Sequence, residues 1–279
     1  MRLATLRVNG STRAAVRVGD SYALLEASDV AALLRTPGWE ALAARAQSAG
    51  TMVPSDTADF APLVNTARKI ICCGLNYKDH IKETGRDTPE FPTLFGKFND
   101  TLTGAFDEIE LPIESDRVDW EAELVVVVGS RLSKATPAEA LRSIAGYSIA
   151  NDISMRDWQQ RTLQWLQGKV FTATTPLGPE MVTADEFDPT QPHAVSTFVN
   201  GQAAQESTTD QLIFTSADLL SYISTFTVLS PGDIVLTGTP GGVGMGKTPP
   251  QYLLNGDLLV TSIEGIGSQR NVMKEAKLG

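Results

Sequence analysis

The segment "VDWEAELVVVVG" sets two carboxylates, Glu121 and Glu123, two residues apart in a run of strand-forming residues. Side chains alternate along a strand, so both project to one face. Almost every residue that follows is apolar, so the strand heads into the core. Carboxylates at the mouth of a buried strand are costly unless compensated, and a divalent cation is the simplest compensation. "GYSIANDISMRDWQQR" supplies a third, Asp152, at the end of an apolar strand and ahead of a helix that Ser154 is placed to cap. Three oxygen ligands suit Mg²⁺ or Mn²⁺, with water or substrate completing an octahedron. The competing reading is a solvated strand face and an ordinary helix-start aspartate.

A second group lies in "NYKDHIKETG". On a helix His80 and Glu83 are three apart and meet on one face. A carboxylate beside an imidazole fixes its tautomer and raises its basicity, which suits a general base. An ordinary exposed His–Glu pair is the alternative. The chain has two histidines, so a zinc site built from several imidazoles is excluded. His193, in the proline-flanked "DPTQPHAV", reads as structural. Cys72 and Cys73 are adjacent, sit in the apolar "KIICCGL" and have no other cysteine to pair with. They read as core residues of a reducing, cytoplasmic setting rather than as nucleophiles.

"GGVGMGKT", residues 241–248, satisfies the phosphate-loop pattern. Such a loop works by opening a helix whose amides cradle phosphate. Here Pro249-Pro250 follows, and 31 residues remain after Thr248. That is too few for the rest of a nucleotide-binding sheet, so the stretch reads as a flexible glycine loop with Lys247 on the surface.

The elements that must hold these groups are mostly strands. "RLATLRV", Asn9-Gly10 and "AAVRVGDSYALLE" read as an antiparallel meander. A helical stretch follows, capped by Ser28 or Asp29 and broken near Pro37-Gly38, then a linker over 51–66. We place a small N-terminal α+β domain at 1–65 and the main domain at 66–279. The latter is rich in short apolar strands, with helices expected in "TPAEALRSI", "SMRDWQQRTLQWLQ" and "TSADLLSYISTF". No βαβα rhythm appears, so the class is β-rich α+β and mostly antiparallel. The formal net charge of −10 disfavours a polyanionic nucleic-acid partner. The N-terminus lacks the apolar core of a signal peptide, and no run of about 18 apolar residues predicts a membrane span.

Seven segments, "GLNYKDHIKETG", "DWEAELVVVVG", "GYSIANDISMRDWQ", "GKVFTATTPLGP", "VNGQAAQEST", "PGDIVLTGTPGGVG" and "NGDLLVTSIEGIG", together resemble the fumarylacetoacetate hydrolase family over roughly residues 66–274. The resemblance implies a mixed β-roll catalytic domain, a homodimer, and a Mg²⁺ or Mn²⁺ site at Glu121, Glu123 and Asp152. It also implies a lid over residues 76–92 that carries the His80–Glu83 pair. Lys169 would stabilise an oxyanion, Arg156 and Gln159 would contact substrate, and Thr239 would meet its acid end. One departure is Val170-Phe171-Thr172, where many members read Ser-Phe-Asp.

The activity so implied is metal-dependent cleavage of a C–C bond in a short 2-oxo acid, of acylpyruvate or fumarylpyruvate type. His80 would activate water, and pyruvate would be released. Oxaloacetate decarboxylation and isomerisation of a 2-hydroxydienoate are the competing reactions. A binding protein stabilised by a cation is the non-enzymatic alternative, and it has no need of the His80–Glu83 pair.

Overall fold

The N-terminal alternation folds as a meander of strands Arg2–Val8, Ser11–Val18 and Ser21–Leu24, paired antiparallel. Asn9 and Gly10 take φ of 51° and 77°, the twist that a two-residue hairpin turn requires. Asp29 caps helix Val30–Leu34 through the Ala32 N–H at 2.6 Å, and its other oxygen accepts the Asn65 and Thr66 amides. Helix Trp39–Ala49 follows the Pro37-Gly38 break. The computed structural model describes residues 1–85 and 87–276. The expected linker over 51–66 contains a strand, Met52–Pro54, on the edge beside Ser21–Leu24. An edge tolerates Pro54, which has no N–H to give a further neighbour.

These strands continue the sheet of the main region, because Arg2–Val8 pairs with Glu180–Thr183. The junction is tied by Glu180, which is buried and accepts from Arg2 at 2.9 Å and from the Tyr22 hydroxyl at 2.7 Å. The sheet then runs through Ile144–Asn151, Ala122–Val128, Ile234–Leu236, Ile70–Gly74 and Thr93–Lys97, ten strands in all. Among the described residues its neighbours are antiparallel except Ile234–Leu236 against Ile70–Gly74. A second sheet orders Gln202–Thr208, Ala194–Val199, Leu258–Ile263, Gly267–Glu275 and Ile109–Leu111. Both sheets are open, and the fold is mostly β with some helices, the β-rich α+β class expected.

Strand Ala122–Val128 is buried along its whole length, which explains its uninterrupted apolar run. Val125 and Val127 pack with Ile234, Leu236, Leu33 and Leu63 on one face. Leu124, Val126 and Val128 pack on the other with Leu219, Leu220 and Ile223 of helix Ser216–Phe226. That helix starts at a Thr215/Asp218 capping box, and Pro137–Arg142 starts at a Thr136/Glu139 box.

The stretch "SMRDWQQRTLQWLQ" departs from expectation. Ser154–Met155 pairs antiparallel with Val118–Asp119, the helix covers Arg156–Gln159, and a 3₁₀ turn spans Trp165–Gly168. Ser154 caps nothing; its hydroxyl donates to the Asp152 carbonyl at 2.7 Å. The cause is tertiary. The backbone here is used in a ladder, and Arg156 reaches back to Asp119, so the local helical pattern is overridden.

Candidate active site

Glu121 and Glu123 flank the start of strand Ala122–Val128, and Asp152 follows the end of its neighbour Ile144–Asn151. Ala122 pairs with Asn151, and the Asp152 N–H donates to the Glu121 carbonyl at 2.8 Å. This register brings the three carboxylates together. All three are buried, and one oxygen from each lies within 4.8 Å of the others. An all-oxygen anionic set of that span fits a hard divalent cation.

The surrounding charges are unevenly shared. Lys169 Nζ donates to Glu121 at 2.6 Å and to Asp152 at 2.7 Å, and Lys97 Nζ donates to the other Asp152 oxygen at 2.5 Å. Arg156 reaches Glu121 at 2.7 Å and Asp119 at 2.8 Å. Burial opposes ionisation of Glu121, but Lys169 and Arg156 hold its carboxyl below the usual range. Burial likewise opposes ionisation of Asp152, where Lys169 and Lys97 prevail. Glu123 goes the other way: burial, then Asp152 and Glu121, push its carboxyl well above the usual range. Its hydrogen bond from the Gly238 N–H, at 2.7 Å, does not offset them. Glu123 is thus where added positive charge is most needed. Burial also weighs against a charged Lys169, but Asp152 and Glu121 raise its pKa and keep it an ammonium.

Helix Lys78–Thr84 carries the second group. His80 Nδ1 and Glu83 Oε2 are 3.3 Å apart, and Glu83 Oε1 accepts the Gly242 N–H at 3.0 Å. Burial works against the Glu83 carboxylate, but the bonds from His80 and Gly242 lower its pKa. Asp79, beside His80, accepts from the Ser207 hydroxyl at 2.5 Å and from the Gly241 N–H at 3.3 Å. The helix is therefore docked on the glycine loop. Gly242 has φ of +94°, and a Cβ there would strike the Ala204 carbonyl, so this position requires glycine. Gly244 and Met245 donate their amides to Asp119 at 2.6 and 3.0 Å. Four amides of the loop that matches a phosphate pattern thus go to carboxylates, and among the described residues no helix follows it. Lys247 is half-buried, with Nζ 5.3 Å from the Trp120 ring centroid. Arg86 and the Thr84 side chain, within the segment expected to act as a lid, lie outside the described residues.

These elements enclose a cavity of about 330 Å³. His80, Glu121, Glu123, Arg156, Lys169 and Thr239 line it, with Gln159 beside Arg156 at 2.9 Å. Asp152 is fully buried and off the cavity wall; Glu83 reaches the cavity through His80. Thr239 accepts from Gln205 Nε2 at 2.8 Å, while Gln205 Oε1 accepts the Ala122 N–H at 3.1 Å and ties that loop to the carboxylate strand. Thr172 is exposed and off the wall. His193 stacks on Phe187 at 4.0 Å, and its Nε2 contacts the Asp188 carbonyl at 2.8 Å. Cys73 lines the cavity, but burial, then Glu123, push its thiol up to about 12, and Cys72 is wholly buried. Three residues escaped the sequence reading: Lys97, Asp119 and Gln205. Asp119 continues the two-residue spacing of Glu121 and Glu123 and carried a signal; Gln205 carried none.

Residues 69–274 match the family model described as fumarylacetoacetate (FAA) hydrolase C-terminal. The mitochondrial oxaloacetate tautomerase Fahd2a of Rattus norvegicus is 42% identical over 217 residues, 77% of this chain and 69% of that protein. Among solved structures, a fumarylacetoacetate hydrolase from Exiguobacterium antarcticum superposes with a TM-score of 0.88 at 32% identity, covering 99% of this chain and 100% of that one. A 5-carboxymethyl-2-hydroxymuconate delta-isomerase from Mycobacterium smegmatis gives 0.82 at 30% identity, with both chains fully covered. By matched length and relatives alike, the chain belongs to the fumarylacetoacetate hydrolase family and is an enzyme of that family.

Proposed function

We propose that this enzyme moves a proton between the keto and enol forms of a short 2-oxo dicarboxylic acid of the oxaloacetate class. One observation carries the reading. A single small cavity presents a carboxylate-oriented imidazole, an ammonium paired with two carboxylates and a buried guanidinium nitrogen, Arg156 Nη2, that has no hydrogen-bond partner among the described residues. A buried donor left unmade is costly, and a substrate carboxylate is a natural acceptor for it. The cavity volume sits at the small end of ligand sites. The relative at 42% identity is an oxaloacetate tautomerase.

A divalent cation held by Glu121, Glu123 and Asp152 would supply Lewis acidity toward the 2-oxo and carboxylate oxygens. The chain's own groups do the rest. Glu83 accepts from His80 Nδ1, which places the basic lone pair on Nε2. Nε2 takes a proton from substrate C3 and returns it at the enol oxygen, or the reverse. Lys169, held protonated, donates to negative charge developing on that oxygen. Arg156 and Thr239 fix the carboxylate ends.

C–C hydrolysis of an acylpyruvate is the second reading. It uses the same imidazole to activate water, and a hydrolase of the family at 32% identity supports it. The expected homodimer is part of the proposal, and light scattering tests it. The chemistry is tested by following the enol absorbance of oxaloacetate with Mg²⁺, Mn²⁺ or EDTA, beside carbon dioxide release and an acylpyruvate assay. Accelerated enol decay that EDTA abolishes is expected. Enol decay at the buffer rate with every divalent ion overturns the tautomerase reading.

A further inference from the structure

Away from the carboxylates, Phe95 and Trp165 form an aromatic part of the cavity wall. Lys169 Nζ, which touches Glu121 and Asp152, lies 5.3 Å from the Phe95 ring centroid. Phe95 in turn meets Trp165 edge to face, with centroids 5.8 Å apart at 66°. Outward from the carboxylates the order is therefore Lys169, Phe95, Trp165, and all three line the cavity.

The indole packs closely on the strand behind it. Its six-membered ring lies directly over Gly74, the last residue of strand Ile70–Gly74, so closely that a Cβ at position 74 would collide with it. Trp165 opens the short turn Trp165–Gly168, which leads into Lys169. Gly168 presses against the backbone of Met155 and Gln159, where a Cβ would not fit. The turn that carries the indole is thus anchored at the same end as the ammonium. Beyond it, Thr162 and Leu163 also line the cavity and are exposed, Leu163 completely.

The geometry points to Trp165 as the residue that limits how long the distal chain of the substrate can be, with Gly74 as the positioning residue that lets the indole lie there. The inference rests on the 2-oxo acid reading of the site. On this assignment a four-carbon acid anchored at the carboxylates and Lys169 ends before the indole, which lies beyond Phe95. Each further methylene must displace the ring or turn out into water, and a pocket that loses or gains one methylene discriminates by about tenfold or more.

The test is calorimetric binding of pyruvate, 2-oxobutanoate, 2-oxopentanoate and 2-oxohexanoate to the Mn²⁺-loaded protein, none of which needs turnover. In the unaltered protein, affinity is expected to fall with length. In Trp165→Ala, the ratio of 2-oxohexanoate to pyruvate affinity should rise at least about tenfold. Trp165→Phe keeps an aromatic neighbour for Phe95 and should give a smaller rise. Gly74→Ala, which unseats the indole without removing it, should shift the ratio in the same direction. Pyruvate binding with an unchanged ratio in these variants overturns the length assignment and leaves the site reading intact. No binding of pyruvate to the unaltered, Mn²⁺-loaded protein overturns both.

Discussion

Glu83 accepts the backbone N–H of Gly242 at 3.0 Å, and this bond joins the helix that carries the imidazole to the glycine loop. The same carboxylate faces His80 Nδ1 with its other oxygen. The loop therefore sets the carboxylate, and the carboxylate sets the imidazole. Gly242 cannot acquire a side chain without meeting Ala204, so the arrangement depends on glycine at that point.

His80→Ala should lower kcat by about 100- to 10,000-fold, the usual worth of a positioned general base. Mn²⁺ affinity should stay nearly unchanged, because His80 is not one of the three clustered carboxylates. Steady-state kinetics beside a Mn²⁺ titration reads both. Turnover equal to that of the unaltered enzyme removes His80 from the mechanism. Glu83→Gln should lie between the two, since it keeps the shape and weakens the orientation.

Glu123→Ala should abolish tight Mn²⁺ binding, because it removes one of the three buried oxygens that converge there. Calorimetric titration is the check, and unaltered affinity would mean that the ion sits elsewhere.

Asp119→Ala should destabilise the fold by about 3–5 kcal/mol, the usual cost of breaking a buried ion pair. Asp119 is fully buried and holds Arg156 together with the Gly244 and Met245 amides. Denaturant unfolding measures the loss. Asp119→Asn, which keeps the shape and removes the charge, should recover part of it. A loss within experimental error for the alanine variant would show that the loop holds without this residue.

Acid should loosen the N-terminal strands through Asp107. Burial opposes its ionisation, but the bond from Arg7, the Gly104 N–H and the Thr103 hydroxyl hold its carboxyl below the usual value. A carboxyl with a lowered folded-state pKa stabilises above its unfolded value, about 3.9 for Asp, and that stability is lost as pH falls through the folded value. The Tm difference between the unaltered protein and Asp107→Asn should therefore be full at neutral pH and shrink below about pH 4. Thermal melts over pH 3–7 test this, and a difference constant with pH contradicts it.

Much of the site could be read from the chain because its signals are local. Glu121 and Glu123 declare a strand face by spacing, Asp152 ends an apolar run, and His80 and Glu83 share a helical turn. Lys97 could not be read in this way. It ends strand Thr93–Lys97, which three strands separate from Ile144–Asn151 in the sheet order, so its bond to Asp152 is a long-range contact that no local spacing announces. Ser154 misled for the opposite reason. Its neighbours have helical spacing, but the ladder with Val118–Asp119 and the reach of Arg156 to Asp119 decide the conformation. Strand Met52–Pro54 was hidden by two prolines and small polar residues, and it persists because it lies on an edge.

The most direct test of divalent-cation-dependent proton transfer at C3 is deuterium wash-in. Oxaloacetate in D₂O, with enzyme and Mg²⁺, is followed by proton NMR at the C3 methylene. The account predicts exchange well above the buffer rate, lost with EDTA and in His80→Ala. Exchange at the buffer rate, with an acylpyruvate cleaved under the same conditions, would contradict it and assign the enzyme to C–C hydrolysis.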